Sequence, residues 1–339
     1  MNTKIYRCLA LACLLDTCAG AASAQGLEEL GPRAPAMAAF VAVADDASAV
    51  LWNPSGLVFG PIFNITLDFG RSTGQTADLP RFPAVAGRGQ HTFIAFGLPP
   101  VGLSYTRISS VAVVTRSPAG MGTEDREEEQ VLLRAVVTSA LGATVLQSVG
   151  DYITVGATLK LVRGGEGRAI AEVERWSEAF DRADRLERPG TTTVDADLGG
   201  MLSVGPVRAG VVLRNVGEPD FEVADGVDLV VRRHARVGVA WGDRWPGQAR
   251  TIVAADADLT RVFAVDGERR DVAIGAERWL RGSQLSVRAG LRASTVGESR
   301  PVVSGGASYA VRAGTYLDGF VGAGGDQRRV WGLGIRVTY

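Results

Sequence analysis

Carboxylates in this chain come in pairs two residues apart. Asp195 and Asp197 form one such pair, and Asp256 and Asp258 another. Side chains alternate along an extended strand, so each pair lies on one face. Carboxylates with open positions could hold Ca²⁺ or Mg²⁺. A charge ladder is the preferred reading. Asp271 and Glu277 share the polar face of the next stretch, and Arg288 and Arg292 that of the one after. A hairpin centred on Gly282 sets Glu277 near Arg288 and Asp271 near Arg292, and opposite charges facing each other across strands stiffen a sheet. Asp256, Asp258, Asp271, Glu277, Arg288 and Arg292 are therefore expected as one charge network, with no metal bound.

No other group of residues suggests catalysis. His91 and His234 are the only histidines and are far apart in sequence, which excludes a His-rich metal site. No G-x-S-x-G elbow is present. Gly164-Gly165-Glu166-Gly167 lacks the strand-then-helix context and the Gly-Lys-Ser/Thr ending of a phosphate loop. The acidic run Glu124 to Glu129 reads as a solvated loop. Neither enzymatic activity nor a cofactor is expected. The formal net charge of −1 gives no basic field for a nucleic-acid partner.

The elements that must position these residues read as strands. Residues Arg329 to Tyr339 place Trp331, Leu333, Ile335, Val337 and Tyr339 on one face and Val330, Gly332, Gly334, Arg336 and Thr338 on the other. An apolar face ending on an aromatic residue suits the closing strand of a membrane barrel. The pattern recurs. In Ile62 to Gly70, Phe63, Ile65, Leu67 and Phe69 share a face, and in Tyr152 to Val162, Ile153, Val155, Ala157, Leu159 and Leu161 do so. About fourteen such segments follow one another, each near the length that a tilted transmembrane strand needs.

The connections alternate long and short, as external loops and brief periplasmic turns would. The longest, Arg163 to Gly190, is rich in Glu, Arg and Ala and is expected to be partly helical. Tyr152, Trp241, Trp245, Trp279, Tyr309, Tyr316 and Tyr339 fall at or beside the short connections, where an aromatic girdle belongs. No run approaches the roughly twenty apolar residues of a helical span.

The first residues read as an export signal. Lys4 and Arg7 precede the apolar run Cys8 to Leu15, and Ala22-Ser23-Ala24 offers a cleavage site before Gln25. All three cysteines (Cys8, Cys13, Cys18) fall within this segment, so the processed chain is expected to lack disulfides and thiolate metal sites. The expected division is residues 1–24 as signal peptide, 25–60 as an N-terminal segment and 61–339 as an all-β transmembrane barrel in the outer membrane.

Between signal and first strand, Ala39 to Leu57 carries Asp45-Asp46 and then Trp52-Asn53-Pro54-Ser55-Gly56-Leu57. This pattern resembles the N-terminal motif of the long-chain fatty-acid transporter (FadL) family, which usually has Ala where Ser55 stands. The resemblance implies a fourteen-stranded barrel whose N-terminal segment folds into the lumen as a hatch. Trp52, Asn53, Pro54, Ser55 and Gly56 would then form the gate. Ala38, Ala39, Ala42, Ala44, Ala47 and Ala49 make a slender segment able to thread a lumen, and Asn followed by Pro sets a turn. A plain periplasmic arm is the alternative.

The stretch Ala254 to Arg292, with Ala255-Asp256-Ala257-Asp258-Leu259, Gly275-Ala276-Glu277-Arg278-Trp279 and Arg288-Ala289-Gly290-Leu291, is similar to the PorV-like branch. That branch implies a role in secretion. Two functions stay open: passage of a hydrophobic or amphipathic small molecule, or a non-transporting barrel serving a secretion-system protein. Outer-membrane lipid surrounds either.

Overall fold

The structure is a computed structural model, and it describes residues 27–78, 83–115, 129–221, 229–243, 251–264, 267–280, 284–297 and 299–339. The expected signal peptide, its cysteines, the acidic run up to Glu128, Trp245 and Gly282 lie outside the described residues.

Fourteen antiparallel strands close into a barrel. They are β1 (Asn64–Asp78), β2 (Pro83–Leu98), β3 (Val101–Thr115), β4 (Glu129–Val149), β5 (Ile153–Val173), β6 (Gly190–Val204) and β7 (Val207–Arg214). The ring continues with β8 (His234–Gly242), β9 (Thr251–Asp258), β10 (Asp271–Leu280), β11 (Leu285–Ser294), β12 (Val302–Arg312), β13 (Thr315–Gly324) and β14 (Arg329–Thr338). Two short hairpins, Asp220–Phe221 with Leu229–Val230 and Val262–Ala264 with Gly267–Arg269, belong to the long connections.

Closure satisfies the edge hydrogen bonds that an open sheet would leave bare. β14 pairs with β1 from Asn64 opposite Thr338 to Thr73 opposite Arg329. Phe63 N–H donates to the Tyr339 carbonyl at 3.1 Å, and Tyr339 N–H returns a bond to the Phe63 carbonyl at 2.9 Å. The period-2 pattern sorts side chains as expected. Trp331, Leu333, Ile335 and Tyr339 are exposed outward, with Val337 half-exposed, whereas Arg336 is buried inside. Leu141, Val145, Leu159 and Leu161 continue the outward apolar band.

Several connections differ from expectation. Two strands run beyond their expected ends: β1 passes Gly70 to reach Asp78, and β5 enters the Arg163–Gly190 link as far as Val173. Polar and glycine residues hide the strand there because both of its faces leave the apolar band. β4 and β5 have 21 residues each, while β7 and β9 have 8. At roughly 3.3 Å per residue the long pair rises far above the rest of the rim.

The helical part of the longest link is α3 (Trp176–Asp184), numbered after α1 (Arg33–Met37) and α2 (Ala49–Trp52). It buries Ala179 and Ala183, with Trp176 and Phe180 alongside, on Val111, Val113, Val131, Leu133 and Ala135 of β3 and β4. Those residues share the outward face with Leu141 and Val145, so α3 lies on the outside of the raised wall. A Glu178–Arg182 pair at 2.5 Å supports its exposed side.

The aromatic girdle holds in part. Tyr152, Trp241, Tyr309 and Tyr339 point outward and are exposed at the short-link end. Trp279 and Tyr316 lie on the inward face and pack edge-on at 5.6 Å, with the Arg336 guanidinium 4.7 Å from the Tyr316 ring.

Candidate functional site: the filled lumen

Residues 29–57 run through the inside of the ring, and nearly all of them are buried. Short side chains let this segment in, and glycines on the wall receive it. A Cβ added to Gly275 would come within 1.8 Å of the Met37 carbonyl oxygen, and one on Gly290 within 2.4 Å. Likewise a Cβ on Gly156 would come within 2.7 Å of the Pro54 carbonyl carbon, and one on Gly199 within 2.3 Å of Asn53 Oδ1. These strand glycines are sites of close backbone approach.

Within the segment, α1 and α2 are single turns joined by a stretch of bends and turns, in which the N–H groups of Val43 and Ala44 donate to the Phe40 carbonyl at 3.1 and 2.9 Å. Trp52 ends α2 with its ring buried, edge-on to Phe40 at 6.0 Å and 4.8 Å from the Arg214 guanidinium. Its indole N–H donates to the Leu30 carbonyl at 3.0 Å. Asn53 is extended and caps the 3-10 turn Pro54–Phe59, accepting from Ser55 N–H at 3.3 Å and Ser55 Oγ at 2.6 Å. Its amide donates to the Val41 carbonyl at 3.0 Å and to Gly200 of β6 at 3.3 Å. Gly56 is tightly placed, since a Cβ there would come within 2.0 Å of the Ala44 carbonyl oxygen. The five residues expected at the gate therefore form one compact turn tied to the wall.

Charges hold the segment in place. Arg33 bonds Asp45 at 2.7 Å, Asp46 at 2.8 Å and Glu277 of β10 at 2.7 Å. Glu28 pairs with Arg236 of β8 at 2.8 Å and with Arg292 of β11. Glu29 pairs with Arg328 at 2.9 Å. Burial alone would push the Glu28 carboxyl up, yet the guanidinium groups of Arg292 and Arg236 hold it well below the usual carboxylate range. Burial likewise pushes Asp46 up, and Arg33 and then Arg336 outweigh it, so its carboxyl is also lowered.

The six residues expected as one charge network divide among separate contacts. Glu277 sits opposite Arg288 in register, and the two bond at 2.8 Å. Asp271 pairs in register with Ser294, so its contact with Arg292 is diagonal, at 3.5 Å. Asp256 departs further. Its Oδ2 accepts from the backbone N–H groups of Phe40 and Val41 at 2.7 and 3.0 Å, fastening the segment to β9. Asp258 meets His234 at 2.8 Å and Arg236 at 2.5 Å. These side chains pack against the inserted segment and not against an open lumen.

Oxygens of Glu28, Asp258 and Asp271 lie within 4.8 Å of one another. Arg236, Arg292, Arg269 and His234 already meet their charge. The Asp195–Asp197 pair is answered by Lys160 at 2.9 and 2.6 Å. Sequence reasoning missed Glu28, Arg33, Arg214 and Arg236. Charged residues amid the alanines of 25–60 were the available signal for the first two.

Two cavities flank the segment. The larger, about 160 Å³, opens at the long-link mouth between β1, β2 and β3, and its lining includes Val85, His91, Ile108, Val302 and Arg328. At its wall His91 meets Asp68 at 3.1 Å, and Asp68 accepts from Gly31 N–H at 2.9 Å. The smaller, about 50 Å³, lies deeper, between α2 and β3–β6, and includes Val50, Leu51, Ile108 and Lys160. Ile108 borders both.

A family model described as "F plasmid transfer operon, TraF, protein" matches residues 91–258, from β2 to β9. Comparison with curated proteins gives no match. Among solved structures, a monoaromatic hydrocarbon channel, CymD, is similar at 14% identity and a TM-score of 0.62, covering 92% of this chain and 98% of that one. The toluene transporter TbuX of Ralstonia pickettii is similar at 15% identity and a TM-score of 0.61, covering 93% and 100%. A FadL homologue from Pseudomonas aeruginosa follows at 11% identity and a TM-score of 0.56, covering 91% and 97%. At these identities the likeness carries the fold alone, a closed antiparallel barrel.

Proposed function

We propose that this chain is an outer-membrane barrel that passes hydrophobic or amphipathic small molecules, with residues 25–60 as a hatch. The observation that carries the reading is the pair of cavities meeting at Ile108, one open at the mouth and one against the hatch helix α2. The outer cavity is of the size that accepts a single aromatic ring, about 150 Å³. The fold likeness to a toluene transporter and a monoaromatic hydrocarbon channel supports passage. The outward apolar band supports placement in a bilayer, with the long links external.

A second reading has its own support. The segment is pinned by buried ion pairs, and a family model named for a transfer-operon protein matches part of the chain. A barrel permanently filled in this way would serve a secretion or assembly partner, as the PorV-like motifs imply. Replacing Asn53 and Pro54 together with Ala separates the two. The double variant loses the bonds to Val41 and Gly200, while wall strands keep pairing with each other. In a transporter, uptake of a hydrophobic probe or conductance in a planar bilayer rises, with heat-modifiable migration unchanged. In an accessory barrel, permeability stays constant and partner retention falls. If a folded variant changes none of these, the segment is no hatch.

A further inference from the structure

The outward face of β3, β4 and β5 changes character at one level. Below it the face is bare and apolar, with Leu103, Leu141, Leu159 and Leu161 exposed. Above it the face is again apolar, but Val111, Val113, Leu133 and Ala135 are covered by α3. Protein therefore shields the upper apolar residues, and the lower ones are left to lipid. The boundary row is Arg107, Ser139 and Arg163, direct cross-strand partners. Both arginines are exposed, and among the described residues no carboxylate pairs with either.

The backbone of a third arginine, Arg188, passes just above. The chain leaving α3 returns along β5, and a Cβ added to Gly165 would come within 2.8 Å of the Arg188 carbonyl oxygen. Gly165 is the next residue outward from Arg163 on the same face. Arg188 Nη2 donates to the Asp184 carbonyl at 3.2 Å, while its Nε is buried without a partner. Glu187 is the nearest acid in sequence and is exposed; the Asp184 carboxylate is taken up by Arg88. Adjacent strands are about 4.8 Å apart, so Arg107 and Arg163 stand roughly 10 Å apart, a gap two long side chains can close. Planar guanidinium forks at that spacing suit phosphate oxygens.

We infer that Arg107, Arg163 and Arg188 bind the phosphate groups of an outer-leaflet glycolipid at the foot of the α3-covered wall. This rests on the reading as an outer-membrane barrel with its long links outward, and is independent of what passes through the lumen. Aromatic residues at the same boundary elsewhere on the ring, Phe69 and Trp331 beside Arg71, fit an interface at this height.

The test uses the full folded protein in detergent, titrated with bis-phosphorylated lipid A and with dephosphorylated lipid A, and read by native mass spectrometry. The triple change R107Q/R163Q/R188Q is expected to weaken binding of the phosphorylated lipid at least tenfold and to leave the dephosphorylated one unchanged. R107Q/R163Q, which spares the partly buried Arg188, is expected to weaken it at least threefold. R278Q, exposed at the opposite end of the wall, is expected to change neither. Millimolar inorganic phosphate is expected not to displace the lipid. Equal retention by folded double and triple variants, or full displacement by inorganic phosphate, would overturn the inference. Heat-modifiable migration of each variant reports separately on the barrel reading.

Discussion

At the scale of residues, Asp256 carries a load that its spacing alone did not reveal. One carboxylate oxygen holds two backbone N–H groups of the lumenal segment, Phe40 and Val41. Removing the acceptor leaves two buried donors unmet, at a cost of about 1–3 kcal/mol each. Asp256→Ala should therefore loosen the segment, and Asp256→Asn, which keeps one acceptor oxygen, should do so far less. The processed chain is expected to have no cysteine, so Ala42→Cys, at a fully buried position, supplies a single reporter thiol. Maleimide labelling of that thiol should quicken by about tenfold with Asp256→Ala, which corresponds to about 1.4 kcal/mol. Equal labelling rates in both backgrounds would show that the segment is held by other contacts.

At the scale of elements, the closing strand depends on its last residue more than its apolar pattern suggests. Tyr339 completes the outward face, exchanges two backbone hydrogen bonds with Phe63 and sets its ring 5.9 Å from the Phe63 ring. The Thr338 side chain offers a 3.4 Å hydroxyl contact to the Gly314 carbonyl, which serine can repeat, and its backbone N–H bond to that carbonyl at 2.7 Å does not depend on the side chain. Deleting Tyr339 should thus lower the assembled fraction in membranes severalfold, while Thr338→Ser leaves it near the parent value. If both variants assemble equally, closure does not rely on the Phe63–Tyr339 pair.

At the scale of the whole molecule, every wall strand finds its hydrogen-bond partners on two neighbouring strands, so the ring unfolds as a unit. Such a barrel resists detergent until heated. Unboiled protein should migrate differently from boiled protein on a denaturing gel and should fractionate with the outer membrane. Recovery in the soluble periplasm without a shift on boiling would remove the membrane reading altogether.

Strand number, the inward and outward faces and the closing strand were legible from sequence because a pleated strand has a strict period of two. Leu333 and Arg336 had to face opposite ways wherever the strand sat. The Glu277–Arg288 pairing was legible for the same reason, as one hairpin sets its register. Contacts across the lumen obey no period. Arg33 reaches Glu277 over 244 positions, and Glu28 reaches Arg292 over 264, because the ring closes around the segment. Only the closed ring decides that strand glycines mark the segment's path, that Asp256 grips a backbone and that Trp279 and Tyr316 turn inward. α3 on the outer wall belongs with them: its amphipathic face names no partner until β3 and β4 rise beyond the apolar band to meet it.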